Sequence, residues 1–212
     1  KILTVSNPLK DILEKRLSGK EVLVIENGYD EEIHERISQE SSFPKFSILY
    51  SGAIWDKNHR RPHNFFKAIE LGISNGNFNE TDLEINFLGT EPDILLDIIR
   101  TLSINNLIHV LPKTGYIKSL EFQHKSCILL HLSHERQKGI FTSKLFDYLG
   151  SRRPILSVPG DHNCVDELLN KTNAGVSADS PEEILHQLTL WYNEWKHTGN
   201  VKFQGIESEI RC

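Results

Sequence analysis

The 212-residue sequence contains no methionine and only three cysteines. Without a methionine to open it, Lys1 reads as an internal position of a longer protein and not as a translation start. Cys127, Cys164 and Cys212 are odd in number, widely spaced and form no CxxC pair, which excludes a disulfide framework and a cysteine metal site and suits a reducing cytoplasm. No apolar run approaches the roughly 20 residues of a membrane-spanning helix, and no charged-then-apolar leader opens the sequence. Positive charge is also short. Lys and Arg number 24 against 29 Asp and Glu, a formal net charge of -5. That balance argues against nucleic acid as the main partner, because neutralising phosphates takes a basic face.

What remains is an ordinary globular composition, 38% hydrophobic and 25% charged, long enough for one sizeable core or for one domain plus a remnant of another. Short apolar runs predict strands over 2–5, 21–25, 46–50, 83–88, 107–111, 127–132, 154–157 and 175–177. Amphipathic stretches between them predict helices over 8–17, 62–74, 92–102, 117–125, 142–149, 164–170 and 181–195. Pro62, Pro92 and Pro181 stand where a first helical turn tolerates a missing N–H. Strands alternating with helices of this length predict an α/β fold, a Rossmann-like parallel sheet with helices on both faces. The runs ILLHL and INFL suit its buried central strands. The polar stretch EEIHERISQESSFPK reads as a connector, which divides the chain into a small βαβ piece at 1–30, a linker at 31–44, a main domain at 45–197 and a polar tail at 198–212. The tail reads as disordered or held by a partner surface.

In a parallel α/β sheet, ligands gather at the carboxyl ends of the strands, where helix N-termini present free N–H groups and a positive dipole end. After the strand at 46–50 comes SGAIWDKNHRRPHNFF, with Gly52 allowing close backbone approach and Lys57, Arg60 and Arg61 crowded before a helix start. A diphosphate suits that cluster, and so does a plain solvated loop balanced by Asp56. His59 and His63 lack a third ligand, so no metal site is expected. After the strand at 127–132, Thr142 or Ser143 can cap a helix carrying Lys144 and Asp147, three apart and therefore on a shared face. That pair reads equally as a surface salt bridge or as a cation for phosphate beside a carboxylate for paired hydroxyls.

Four segments in order carry a resemblance. GIFTSKLFDYLGSRRPILSVPG resembles the "KLFEYLA-x-x-x-P-I-L" segment of retaining, GT-B-fold glycosyltransferases of family four and near relatives. KILTVSNPLKDIL…KEVLVIENGYD is similar to their "TVS…L…V-IPNG-V/Y-D" segment, which ends the acceptor domain. ILYSGAIWDKNHRRPHNFFKAIELG is similar to their "GTL…R-x-P…L-A" loop and helix, and HVLPKTGYIKSLEFQHKSCILLHLS looks like their "V-x-Y-V-P…E-A…A-D-V-L-L" unit. The resemblance implies the donor-binding C-terminal half of a transferase that moves a sugar from a nucleoside-diphosphate sugar to a glycan or lipid-linked acceptor in cell-surface polysaccharide synthesis. It implies a cytoplasmic enzyme with a peripheral membrane association at full length, a missing N-terminal acceptor domain, and no cofactor or metal beyond the donor substrate. Asp147 takes the place of the second carboxylate of a Glu-x7-Glu motif and faces the ribose. Lys144 and Arg61 face the diphosphate, Gly52 lets the backbone approach it, and Thr142 and Ser143 offer helix N-terminal amides. Tyr116 and Ile117 lie in a loop that borders the nucleobase. Two positions depart from the pattern: the first carboxylate falls at Gly139, with Glu135 displaced nearby, and Asp147 is one methylene shorter than Glu. The catalytic residue is left unassigned. A non-catalytic nucleotide-binding or regulatory domain stands as the alternative. A receiver module needs clustered acids where this chain has the basic DKNHRR loop, and a sugar-nucleotide epimerase shares the expected fold.

Overall fold

The computed structural model describes residues 1–37, 42–54, 62–134 and 139–210. Each apolar run forms a strand, with ends within one residue of expectation: β1 (Ile2–Thr4), β2 (Val22–Val24), β3 (Phe46–Ser51), β4 (Leu83–Leu88), β5 (Ile108–Leu111), β6 (Ile128–Leu132), β7 (Ile155–Val158) and β8 (Gly175–Ser177). The helices are α1 (Asn7–Arg16), α2 (Glu31–Arg36), α3 (His63–Ser74), α4 (Pro92–Ile99), α5 (Tyr116–Lys125), α6 (Ser143–Gly150), α7 (Cys164–Thr172), α8 (Pro181–Thr198) and α9 (Glu207–Ile210).

β3 to β8 form one parallel sheet in the order β5-β4-β3-β6-β7-β8. The chain winds outward from β3 to β5, returns through α5 to lay β6 beside β3, and then winds outward the other way. Right-handed crossovers in opposite directions put the helices on opposite faces. Alternation along each strand serves both. Phe46, Ile48 and Tyr50 of β3, with Ile128, Leu130 and Leu132 of β6, pack under α3, α4 and α8 through Phe65, Phe66, Ile69, Leu95, Ile184 and Leu188. Leu49, Leu129 and Ile155 point the other way and pack under α6 and α7 through Leu145, Phe146, Leu149, Val165 and Leu169. Fully burying each such side chain stabilises the fold by about 1.5–3 kcal/mol, so the sheet and its two helical layers carry the core.

Two stretches depart from the sequence reading. The connector contains α2, held because the Asp30 carboxylate accepts from Ile33 N–H (3.1 Å) and because His34 is buried rather than solvated. The described part of the tail is folded against the chain. Val201 and Ile210 are buried, Ile206 N–H donates to Thr172 O (2.7 Å), and Arg152 pairs with Glu207 (2.7 Å), so the tail folds back on α7 and α8 of its own chain. Smaller differences are a shorter α4 and a Pro62 that precedes α3 as its N-cap.

The front piece is a two-stranded parallel sheet, β1 on β2, with α1 beside it. On its far face Leu3 (63% exposed) pairs in register with Leu23, and Ile25 is 61% exposed. It meets the main sheet through Ser6 Oγ, which donates to Gly139 O (2.5 Å), and Asn27 Nδ2, which donates to Phe141 O (3.3 Å).

Candidate functional site

The winding reverses between β3 and β6, so a crevice opens at their carboxyl ends, the place where ligands bind in open α/β sheets. β3 ends at Ser51 and Gly52. Gly52 has φ +131, a left-handed backbone that side-chain-bearing residues rarely adopt, and its amide and carbonyl are fixed by Leu88 O (2.8 Å) and the Thr90 hydroxyl (2.8 Å). The space a Cβ would take is filled by Lys144 of α6: its Nζ would stand 2.6 Å from that carbon. The same Nζ lies 3.8 Å from the centroid of the Tyr50 ring, a cation–π contact that holds the ammonium over the end of β3. Gly52 and Lys144, 92 positions apart in sequence, are thus packed against each other.

Beside them stand the first turns of α5 and α6. Ser119 of α5 bonds Ser51 Oγ (2.8 Å), and the fully buried Tyr148 of α6 accepts from Ser51 N–H (2.8 Å), so both helices are tied to the same strand end. Tyr116 and Ile117 are not in a loop. They are the first two residues of α5, half exposed, and their backbone N–H groups belong to the helical turn that has no intrahelical acceptor. The Tyr116 hydroxyl donates to Asp147 Oδ1 at 2.8 Å. Burial pushes the Asp147 carboxyl above the usual carboxylate range, and the Tyr116 hydrogen bond pulls it back. The Tyr116 phenol is pushed up to about 12, first by burial and then by Asp147. Thr142 is the N-cap residue of α6, yet its hydroxyl makes no cap bond; Oγ1 is buried without a hydrogen-bond partner, and Ser143 is exposed beside it.

The N-termini around the crevice differ from the others. α3, α5 and α6 begin with no side-chain cap and no acidic residue in the first turn. α1, α2 and α8 are capped by Ser6, Asp30 and Ser180, the last in a full capping box with Glu183. α4 carries Asp93 in its first turn, and the N-terminal amides of Val165 and Asp166 in α7 donate to Asp161. The starts of α5 and α6, both tied to Ser51, present free N–H groups and a positive dipole end that favour an incoming anion, with Asp147 against Tyr116 as the acid beside them.

Of the residues singled out from sequence, Gly52 packs against Lys144, Tyr116 is bonded to Asp147, Ile117 follows Tyr116 at the start of α5, and Thr142 and Ser143 stand at the start of α6. Arg61 lies outside the described residues, as do Lys57, His59, Arg60 and Glu135. Gly139 is described. Its φ is +77, and a Cβ there would stand 2.5 Å from Pro8 Cβ, so the position is closed by the front piece. Among the described residues no group of three His, Cys, Asp or Glu is placed to hold a metal ion.

Sequence reasoning missed Tyr50, Ser51, Ser119 and Tyr148, which support the site, and a polar cluster beneath it. His131 Nδ1 bonds the Ser157 hydroxyl (3.0 Å), Ser133 bonds Ser157 (2.9 Å), and all three are buried. His131 stands inside ILLHL, where the apolar run masked it; a histidine in a central strand was the available signal.

No protein-family model matches this sequence, and no curated protein matches it. Solved structures do. The chain is similar to a glycosyltransferase from Rickettsia africae ESF-5, with TM-score 0.70 and 14% identity over 99% of this chain and 57% of that one. It is similar to Anabaena HepE in complex with UDP-glucose, with TM-score 0.67 and 12% identity over 94% of this chain and 56% of the other. WaaG, a glycosyltransferase involved in lipopolysaccharide biosynthesis, matches with TM-score 0.63 and 13% identity over 90% of this chain and 53% of its own. The chain spans about half the length of these structures. At such identities the likeness is one of fold, and the fold is that of a Rossmann-like half of a GT-B glycosyltransferase.

Proposed function

We propose that this chain is the donor-binding half of a retaining hexosyltransferase that moves a sugar from a nucleoside-diphosphate sugar to a glycan or lipid-linked acceptor, in cell-surface polysaccharide synthesis, from the cytoplasm or the inner membrane face. The observation that carries it is the Lys144 ammonium packed against Gly52 at the switch point, beside the uncapped starts of α5 and α6. The leaving diphosphate gains negative charge as the glycosidic bond breaks. A cation and N–H groups already in place stabilise that charge more in the transition state than in the ground state. Asp147 supplies the acceptor for ribose hydroxyls, and Arg61 a second cation. Residues 1–30 are then the last βαβ of an acceptor domain, in keeping with the uncovered Leu3, Leu23 and Ile25. With the positive charge coming from side chains and amides, donor binding needs no divalent metal.

The test is calorimetric titration with UDP, GDP and ADP, with and without EDTA. One of the three is expected to bind weakly and equally well in both conditions, with no sugar transfer by this chain alone. Binding that vanishes on chelation overturns the metal-free reading, and no binding of any nucleotide overturns the donor site. A second reading, a nucleotide-binding domain without catalysis, is favoured by Gly139, where the family's carboxylate has neither a side chain nor room for one.

A further inference from the structure

Asp147 is the only acidic side chain of α6, and it is bonded to α5 rather than within its own helix. Tyr116 Oη holds Oδ1 at 2.8 Å, while Oδ2 has no hydrogen-bond partner among the described residues. Tyr116 is 48% exposed as a residue, with its hydroxyl turned onto Asp147. We propose that Tyr116 is a positioning residue for the carboxylate that reads the ribose: its phenol pins Oδ1 and leaves Oδ2 as the fixed acceptor for the 2′ and 3′ hydroxyls of a nucleotide. The proposal rests on the reading of Asp147 as the ribose ligand.

Two consequences follow from one hydrogen bond. A carboxylate tethered at one oxygen loses rotational freedom before the ligand arrives, which lowers the ordering cost of binding. The bond also favours the ionised form. Vicinal hydroxyls are best met by an acceptor-only group, and a carboxyl group is that only when ionised. Burial works against ionisation here, and the phenol's donation works for it. The phenol itself stays protonated through the working pH range, since burial and Asp147 hold its pKa near about 12. The further charge that acts on the pair is Asp30 at the start of α2, which raises the Tyr116 pKa, while Lys144, one turn earlier on α6, has its ammonium over the Tyr50 ring. On α5, Lys118 is ion-paired with Glu121 at 2.8 Å.

The experiment uses Tyr116→Phe, which keeps the ring and removes the hydroxyl, beside Asp147→Asn and the unaltered chain. Each is titrated from pH 8 to pH 5 with whichever of UDP, GDP and ADP binds best and with the corresponding free nucleoside. At pH 8, Tyr116→Phe is expected to lose about three- to tenfold in affinity for both ligands, the size of one net hydrogen bond. Its acidic limb, where affinity falls as Asp147 takes up a proton, is expected at higher pH than in the unaltered chain, because the anion has lost a donor. Asp147→Asn is expected to bind weakly at every pH with no such limb. If Asp147→Asn weakens binding while Tyr116→Phe matches the unaltered chain in affinity and limb, the positioning role is overturned and the ribose reading stands. If Asp147→Asn binds as the unaltered chain does, or no nucleotide binds at all, the ribose reading falls and this proposal with it. A second measurement needs no ligand. Carbon-13 NMR of labelled tyrosine ring carbons is expected to show the Tyr116 phenol titrating earlier in Asp147→Asn than in the unaltered chain; an unmoved titration means that Asp147 does not hold it.

Discussion

Gly52 and Gly139 both leave out a side chain that another residue's atoms would meet, Lys144 at the first and Pro8 at the second. At position 52 the missing Cβ is what lets Lys144 lie over Tyr50. Gly52→Ala is therefore expected to displace the ammonium and to strain a backbone at φ +131, lowering stability by about 1–3 kcal/mol in urea denaturation and weakening diphosphates while sparing the bare nucleoside. Lys144→Ala separates the two effects. It removes the charge without straining the backbone, and should weaken a diphosphate by roughly 1.5–3 kcal/mol, the value of a charge-assisted bond, again without touching the nucleoside. Nucleoside affinity that falls equally in Lys144→Ala would show that the lysine does not read phosphate. At position 139 the logic is reversed. Gly139→Glu finds no room for the carboxylate that the resemblance places there, because its Cβ falls on Pro8 and its φ of +77 is unfavourable; the expected result is a lower melting temperature and no gain in affinity for a nucleoside diphosphate. The sequence shows which residue types stand at 52, 139, 144 and 147. It does not show that Lys144 occupies the room of a Gly52 side chain, or that Tyr116 meets Asp147, since those contacts join residues far apart in the chain.

At the scale of elements, strands were legible because parallel central strands are apolar on both faces, and β3, β4 and β6 are buried along nearly their whole length. α2 was not legible. Its six residues carry no apolar stripe, and its anchor is a histidine. His34 Nδ1 lies 3.0 Å from His124 Nε2 of α5, its ring meets Tyr29 edge-on, and Gly150 of α6 leaves the room it occupies. Burial first, then the neighbouring ring and Arg152, lower the His34 pKa from 6.5 to about 4, while Asp30 raises it slightly. Burial, Arg153 and Arg152 lower His124 to about 4 as well. In both cases the folded state disfavours the proton. Stability is thus full above about pH 6.5 and is lost as pH falls toward 4, at up to about 1.4 kcal/mol per pH unit for each histidine. Asp147, whose pKa burial raises, contributes in the opposite direction. Thermal melts between pH 7.5 and 4.5 are expected to fall steeply below 6.5, and less steeply in His124→Gln. A flat curve would mean that the two rings are not held neutral.

For the whole molecule, the doubly wound order was legible in outline, as strands alternating with helices, while the reversal beside β3 appears only once β6 is seen to pair with it. On the proposed reading, that reversal sets where a nucleotide binds and what it leaves alone. The six-stranded sheet is covered on both faces and tied together by packed side chains, so its amides are expected to exchange slowly in deuterated water with or without ligand. β1 and β2 are only two strands, with Leu3 and Ile25 exposed on an uncovered face, and two strands are marginal on their own. Their amides are expected to exchange fast. A bound nucleoside diphosphate should then slow exchange in three separate stretches, at Gly52 and Ala53 after β3, at Tyr116–Ile117 in the first turn of α5, and at Ser143–Lys144 in the first turn of α6, with β1 and β2 unchanged. Those stretches share no sequence proximity, only the crevice at the switch point. Protection spread evenly over the sheet would indicate global stabilisation by a ligand bound elsewhere, and protection confined to β1 and β2 would move the site onto the front piece. Either result would sink the placement of the nucleotide between β3 and β6.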